Sequence, residues 1–318
     1  MNAVIYVGCG ETQFNNIKSL YKNNIKVIGF DRNNNIKSKK YIEKFYNFEA
    51  EDSTNILKAI KKIKNKYNIL FAYGVADYCF TTIEKINILL NKKYLFKNYK
   101  AFTSKTTSKK YFYKSKIASP KLLVNKFEYK SLNKKIKLLP RNSKSLLKPD
   151  NSNNSNDIIE LIGQEHDDNG NIKISNSNKL YFIEKKIKIK KIFNIDGYVI
   201  NKKFKIISYS SRILDKNNNL KNRAIIQTGE GLNNKLIKKL ELKIFKLVKY
   251  MNYSFGPLTV DFALSDNNYS YALEISPHFH AVDLEILRTG KSPLLKLVDH
   301  LINQKAEELK NNISNNKF

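Results

Sequence analysis

The chain has 318 residues, of which 42% are hydrophobic and 12% aromatic. This is enough apolar material for two or three folded domains and too much for a disordered protein. The formal net charge is +30, but only five of the 58 basic residues are arginine, and the lysines are scattered among many Asn and Ile residues, with no Trp. The pattern favours compositional drift over a dedicated nucleic-acid surface, and a polyanion-binding surface stays open as the alternative.

The number of cysteines and the hydropathy of the chain indicate the cellular compartment of the protein. Cys9 and Cys79 are the only cysteines, too few for a disulfide framework and typical of a reducing environment. No stretch approaches the roughly 18 unbroken apolar residues of a membrane-spanning helix. The sequence therefore predicts a cytoplasmic protein without membrane association, and it leaves the oligomeric state open.

The first hundred residues alternate strand-like and helix-like patterns. An apolar run ends at Gly8 and Gly10, a helical pattern follows, and residues 26–31 and 69–74 form further apolar runs. This strand–helix–strand order predicts a parallel sheet. The two glycines resemble the start of a dinucleotide-binding fingerprint, but no third glycine follows. Asp31, at the end of the second apolar run, is a ribose ligand if a nucleotide binds here. The alternative is that the glycines form a plain tight turn.

The remainder of the chain predicts an α+β arrangement, in which longer helical patterns alternate with apolar runs and polar loops. The predicted elements are a helix at 103–117, strands at 145–149 and 180–185, a hairpin from 192–200 and 204–209, and a helix at 236–251. The fold class is thus α/β at the N-terminal end and α+β in the C-terminal half. The tail from Leu309 is expected to fray.

Two acids stand inside apolar runs near the end of the chain. Asp261 and Glu274 lie in strand-like segments on either side of a polar turn at 265–268. A hairpin would bring both carboxylates to one point, where they could bind a hard cation such as Mg²⁺ or Mn²⁺. The alternative is that both acids are solvated at sheet edges.

At these positions the sequence resembles the ATP-grasp superfamily, closest to its carbamoyl-phosphate-synthetase-like and amino-acid-ligase-like carboxylate–amine ligases. Asp261, Glu274, Ser276, Pro277 and His278 occupy the places of the family's metal-binding acids and the residues that follow them. Ser276 replaces an Asn, and His278 replaces an Arg. The resemblance implies that Asp261, Glu274 and Ser276 bind the metal and that His278 contributes to the substrate pocket.

The same resemblance implies nucleotide-binding residues earlier in the chain. They are Lys105, Lys148 and Arg212 for the ATP phosphates, Ser155 in the loop over the phosphates, and Glu184 and Lys185, where backbone and acid meet adenine. The chain departs from the family pattern at three of these places. Ser104 stands for an Asp, the loop 150–156 has no glycine, and Lys191 stands where a ribose-binding Glu is usual.

The resemblance covers nearly the whole chain and implies its division. A Rossmann-like domain would occupy 1–100, a small ATP-grasp lid 101–187, the C-terminal ATP-grasp subdomain with the metal site 188–312, and a frayed tail 313–318.

The implied activity is the ATP-dependent ligation of a small carboxylate, with amino acids among the candidates, to an amine through an acyl phosphate. ATP and Mg²⁺ or Mn²⁺ would be the cofactors, and Arg212 and Arg288 the catalytic arginines. Arg288 could equally be a surface helix residue. The alternatives are a degenerate ATP-grasp protein that binds nucleotide or a partner without turnover, and a nucleic-acid-binding protein, which rests on charge alone. A zinc site at His278 and His280 would need further ligands that the sequence does not clearly supply.

Overall fold

The computed structural model describes residues 1–92, 100–151, 158–162, 179–214, 222–226, 232–280 and 282–315. Within these ranges the chain forms three sheets, one parallel and two antiparallel. Ser155 lies outside the described residues, so its predicted place over the phosphates has no structural account here. No helix in the described part of the chain is long and apolar enough to cross a membrane.

The first sheet is parallel, as the strand–helix–strand pattern predicts, with the order β3-β2-β1-β4. The strands of this sheet and the helices between and after them are β1 (Asn2–Val7), α1 (Phe14–Lys22), β2 (Lys26–Phe30), β3 (Lys44–Tyr46), α2 (Ser53–Ile63), β4 (Asn68–Tyr73) and α3 (Phe80–Leu89). Gly8, at φ +81°, turns the chain after β1. Asp31 closes this turn, because its Oδ2 accepts a hydrogen bond from the Cys9 backbone N–H at 2.6 Å. The tight-turn interpretation of Asp31 therefore agrees with the structure.

The second sheet, called the lid sheet here, is antiparallel with the order β5-β8-β6-β7. The elements of this region are α4 (Lys100–Thr103), α5 (Lys105–Lys114), β5 (Leu122–Glu128), α6 (Leu132–Ile136), β6 (Lys144–Pro149), β7 (Ile159–Ile162) and β8 (Leu180–Lys185). The lid sheet has a hydrophobic core of its own around Val124, Leu147, Tyr181 and Ile183. The described residues of the lid sheet therefore pack around a core that is separate from the large hydrophobic core of the chain.

The third sheet, called the main sheet here, is antiparallel with the order β11-β10-β9-β12-β13. Its region comprises β9 (Ile189–Ile200), β10 (Lys203–Leu214), β11 (Asn222–Ile226), α7 (Asn234–Met251), β12 (Phe255–Ser265), β13 (Ser270–Ser276), α8 (Val282–Thr289) and α9 (Leu294–Asn315). The predicted hairpin is β9–β10, and the predicted helix is α7. Helix α9 continues to Asn315, into the segment for which fraying was expected.

The main sheet and the parallel first sheet, with their helices, share one hydrophobic core. A buried polar cluster reinforces the contact: Asn16 donates from Nδ2 to the Tyr6 hydroxyl at 3.1 Å, and its Oδ1 accepts from the hydroxyl of Ser292, in the loop between α8 and α9. The Ser292 N–H donates to the Ser19 hydroxyl at 2.8 Å. The first domain thus fixes the loop that leads into α9.

Candidate active site

One face of the main sheet is polar across four strands. In antiparallel strands, residues directly opposite each other point to the same face. Two consecutive cross-strand rows on this face consist only of polar residues: Ser210, Asn194, Asp261 and Glu274, then Ser208, Asp196, Thr259 and Ser276. All of them except Glu274 are buried. The alternate residues of β12, such as Val260 and Phe262, belong to the hydrophobic core.

Asp261 and Glu274 lie directly opposite each other on β12 and β13, in the hairpin that the sequence predicts. Cross-strand neighbours of this kind have Cβ atoms about 4.5–5.5 Å apart. The register shifts immediately after Asp261, between this residue and Phe262. Such irregularities turn a strand locally and re-aim its side chains. The two carboxylates therefore project onto the same face of the sheet from neighbouring strands, Asp261 from the interior strand β12 and Glu274 from the edge strand β13.

Cations of the chain lie against both acids. Arg212 Nη2 donates to Asp261 Oδ2, and His280 Nδ1 lies 3.2 Å from Asp261 Oδ1. Lys105 Nζ lies 3.2 Å from Glu274 Oε1. Burial alone would raise the pKa of Asp261, but the charges of Arg212 and His280 outweigh it and hold that pKa well below its ordinary value. Asp261 is therefore a carboxylate at any pH near neutrality.

The donor set fits a hard divalent cation. Asp261 Oδ1 is buried and receives no well-aligned hydrogen bond, so it has lone pairs to offer. Glu274 supplies a second carboxylate on the same face, and Ser276, two residues farther along β13, supplies a hydroxyl in the next row. Mg²⁺ and Mn²⁺ prefer such oxygen ligands. No group of three or more His, Cys, Asp or Glu side chains with metal-binding geometry occurs among the described residues, so the arrangement fits a cation that is completed by other ligands.

Glu184, which the resemblance places at adenine, pairs with two lysines in the structure. Its carboxylate is buried and receives Lys109 Nζ and Lys148 Nζ, each at 2.6 Å. Burial alone would raise the pKa of Glu184, but the two ammonium groups outweigh it and lower the pKa. Each oxygen of the Glu184 carboxylate therefore pairs with one lysine side chain. The backbone N–H of Lys185 likewise has a partner, the Lys121 carbonyl at 2.8 Å.

Asp150 connects the two predicted phosphate-binding lysines, a role that the sequence interpretation missed. Its Oδ1 accepts from the backbone N–H of Thr106 at 2.8 Å, and its Oδ2 accepts from the Ser104 hydroxyl at 2.7 Å. Ser104 caps α5 by accepting from the Thr107 N–H. Asp150 thereby fixes the start of α5, where Lys105 lies, to the end of β6, where Lys148 lies. The only sign of this role in the sequence is the position of the acid, directly after Lys148 and Pro149.

His278, predicted for the substrate pocket, and Arg288, predicted as a catalytic arginine, lie in different surroundings. The His278 ring is buried 5.9 Å from the Phe80 ring and 4.7 Å from the His280 ring, measured between centroids. Burial, and then the neighbouring charge of His280, lower the pKa of His278, so its imidazole is neutral. The Arg288 guanidinium instead binds Glu285 through two hydrogen bonds of 3.0 and 2.7 Å.

Arg288 lines a separate cavity of about 320 Å³ beside α8, with Tyr198 and Lys205 among its walls. Neither Asp261 nor Glu274 lines that cavity. Lys105 and Arg212 thus contact the paired acids of the polar face, and Ser276 lies in the next row of that face. Lys148 and Glu184 belong to a second group in the lid sheet, which is joined to α5 through Lys109. His278 follows directly after β13, and Arg288 lies apart from the paired acids.

The sequence matches no protein-family model and no curated protein. Solved structures with the same fold do exist. An L-amino acid ligase from Bacillus licheniformis superimposes with a TM-score of 0.69 at 14% identity, over 90% of this chain and 69% of that one. For N5-carboxyaminoimidazole ribonucleotide synthetase from Thermotoga maritima, the TM-score is 0.67 at 14% identity, over 95% and 76% of the two chains.

A biotin carboxylase from Campylobacter jejuni, crystallised with an ATP analogue, gives a TM-score of 0.70 at 11% identity, over 95% of this chain and 70% of that one. These proteins are ATP-grasp enzymes. The chain therefore has the ATP-grasp fold, and the predicted fold class is confirmed.

Proposed function

We propose that this chain is an ATP-dependent carboxylate–amine ligase, acting on a small carboxylate through an acyl phosphate. The observation that carries the proposal is the pair Asp261–Glu274, set in register on a polar sheet face with Arg212 and Lys105 against the two carboxylates. Phosphoryl transfer depends on positioned charge, and this face supplies both the acids for a metal and the cations for phosphates. The fold shared with ligases and carboxylases of known activity supports the same reaction class.

Each residue has a defined part in this proposal. Lys105 and Lys148 neutralise the phosphates of ATP, and Arg212 stabilises the charge that develops on the transferred phosphoryl group. Asp261, Glu274 and Ser276 hold the magnesium ion, which when bound neutralises phosphate charge. His278, neutral and buried, donates to or accepts from the substrate at the edge of the site.

The proposal also covers the division of the chain and the polar loop. Residues 101–187 act as the lid that covers the nucleotide, and 188–312 carry the metal-binding acids. Ser155 contributes to the phosphate loop, Glu184 shapes the adenine side of the pocket through the lysines it holds, and Lys185 offers its backbone to the base. Arg288 takes part only if the substrate extends to the cavity beside α8.

The alternative is a degenerate ATP-grasp protein that binds nucleotide without turnover. It is favoured by Ser276, a weaker metal ligand than a carboxamide or carboxylate, and by Lys191 in the place of a ribose-binding acid.

Trapping with hydroxylamine separates the two functions. An acyl phosphate is an activated carboxyl group, so hydroxylamine converts it to a hydroxamate even when the natural amine is unknown. The protein, ATP, Mg²⁺, hydroxylamine and a panel of amino and hydroxy acids should yield ADP and hydroxamate together with at least one acid. Glu274→Ala should abolish the reaction, because the metal loses a charged ligand.

Glu43→Ala is the matched control. Glu43 is also a partly exposed acid paired with a lysine, Lys26, but on the first domain, so its loss should leave turnover intact. Nucleotide binding without turnover across the panel would favour the degenerate alternative. Undiminished turnover in Glu274→Ala would contradict the metal site.

A further inference from the structure

The segment from His278 to His280 has a backbone hydrogen bond to a side chain at each residue, two of them to the polar face of the main sheet and one to the parallel sheet. The Thr259 hydroxyl donates to the His278 carbonyl at 2.5 Å. The Phe279 N–H donates to the Tyr73 hydroxyl at 3.5 Å, and the His280 N–H donates to Asp196 Oδ1 at 3.2 Å. All three side chains that hold the segment are buried. The backbone at His280 therefore has little freedom to move.

The ring of His280 is fixed as well. Its Nδ1 lies 3.2 Å from Asp261 Oδ1 and 3.3 Å from Arg212 Nη2. The His280 ring also packs against the His278 ring, at 4.7 Å between the two centroids. Only 15% of the His280 side chain is exposed. His280 thus occupies the space beside the carboxylate that is expected to bind the metal.

We infer that His280 is a positioning residue for the metal centre, acting through Asp261. This inference rests on the proposed function. A carboxylate that rotates freely must lose that freedom when it binds a cation, and neighbours that hold it beforehand reduce this cost. Arg212 holds one oxygen of Asp261, but the same guanidinium is needed by the phosphates. His280 Nδ1 lies against the same carboxylate, so it restrains Asp261 when Arg212 turns to the nucleotide.

Asp196 extends this arrangement by one more residue. Its Oδ1 accepts from the His280 N–H and also lies within hydrogen-bond distance of the Thr259 hydroxyl, whose single proton faces both Asp196 and the His278 carbonyl. One buried carboxylate thus contacts both the segment above it and the strand beside it. The order of support runs from Asp196 to His280 and from His280 to Asp261. Neither Asp196 nor His280 contacts the metal in this arrangement; both act on the orientation of a ligand.

Metal affinity tests the inference without relying on activity. Mn²⁺ binding is titrated by electron paramagnetic resonance in the presence of a non-hydrolysable ATP analogue, for the wild type, His280→Leu and His280→Asn. Loss of a neighbour that orients a metal ligand typically weakens metal binding about 10- to 100-fold. We expect that loss in His280→Leu and a substantial recovery in His280→Asn, whose amide nitrogen takes the place of Nδ1. Metal-free binding of the analogue should change little in either variant.

His300→Leu is the control, because His300 also packs against a ring, that of Phe255 at 5.7 Å, but lies on α9 away from the acids. Denaturation curves establish that each variant is folded. If His280→Leu does not fold, Mn²⁺ binding by His280→Asn still tests the inference. Unchanged Mn²⁺ affinity in a folded His280→Leu protein, or no recovery in His280→Asn, would overturn the inference while leaving the ligase proposal standing. Absence of Mn²⁺ binding by the wild type would overturn both.

Discussion

Replacing Glu184 by Gln should destabilise the lid sheet more than the loss of an exposed ion pair would. The carboxylate is 3% exposed and pairs with Lys109 and Lys148, which are 7% and 14% exposed. The substitution keeps the shape of the side chain but leaves two ammonium groups buried beside each other without a counter-charge.

The expected magnitude follows from this burial. Breaking a buried ion pair by removing one partner costs about 3–5 kcal/mol, most of it the penalty for the charge that stays behind. The contacts of 2.6 Å and the low exposure of all three groups place Glu184 in that class. With a urea m-value of about 1–3 kcal/mol per molar, the unfolding midpoint should fall by about 1 M or more.

Urea denaturation followed by tyrosine fluorescence measures the effect, since the chain has no Trp and Tyr181 lies in the lid core. Glu160→Gln is the matched control. Glu160 belongs to the same sheet and pairs with Lys186, but the two side chains are 39% and 35% exposed. An ion pair of this exposure contributes about 0–1 kcal/mol. Equal midpoints for Glu160→Gln and Glu184→Gln would refute the argument from burial.

The pH dependence supplies a second check. Burial raises the pKa of Glu184, but Lys148 and Lys109 outweigh burial, so the folded-state pKa lies below the ordinary value of 4.5. A group with a lowered pKa contributes stability that is complete above its unfolded-state pKa and is lost as the pH falls through its folded-state pKa. The stability difference between the wild type and Glu184→Gln should therefore be constant near neutrality and shrink below about pH 4.5.

Two further predictions concern ligands. Lys148→Ala should weaken ATP binding about tenfold or more in calorimetry, because a charge-assisted hydrogen bond to a phosphate is lost, whereas Lys186→Ala on the same sheet should not; equal affinities in the two variants would mean that Lys148 does not hold phosphate. Random duplex DNA at about 150 mM salt should bind no more tightly than the non-specific range of about 10⁻⁴–10⁻⁶ M, and sub-micromolar retardation would revive the nucleic-acid alternative.

The elements that sequence predicts well here are local ones. The hairpin around Asp261 and Glu274 was predictable, because two apolar runs, a four-residue polar turn between them and one acid in each run all lie within a short segment. The parallel first sheet was predictable for the same reason. The fold as a whole was predicted only through the resemblance of these motifs, in their order, to those of the ATP-grasp superfamily.

The contacts that complete the site were not predictable in this way, because they join distant positions. Lys105 and Glu274 are 169 positions apart, and Thr106 and Asp150 are 44 apart. The pairing of Glu184 with two lysines depends on how α5 meets the lid sheet, which no local pattern encodes. Arg288 shows the opposite case, in which a suitable residue type close in sequence to His278 faces a different cavity.

The bond between Asn16 and Ser292 also has a consequence for synthesis. These residues are 276 positions apart, and α1 packs against both α8 and α9. Protein chains emerge from the ribosome N-terminus first, and domains fold in that order. The side of α1 that α8 and α9 cover must therefore wait, solvent-exposed, until nearly the whole chain has been made. During that interval Asn16 and Ser19 lack the partner that Ser292 provides, and a fragment that stops before Val282 would lack both helices that pack against α1.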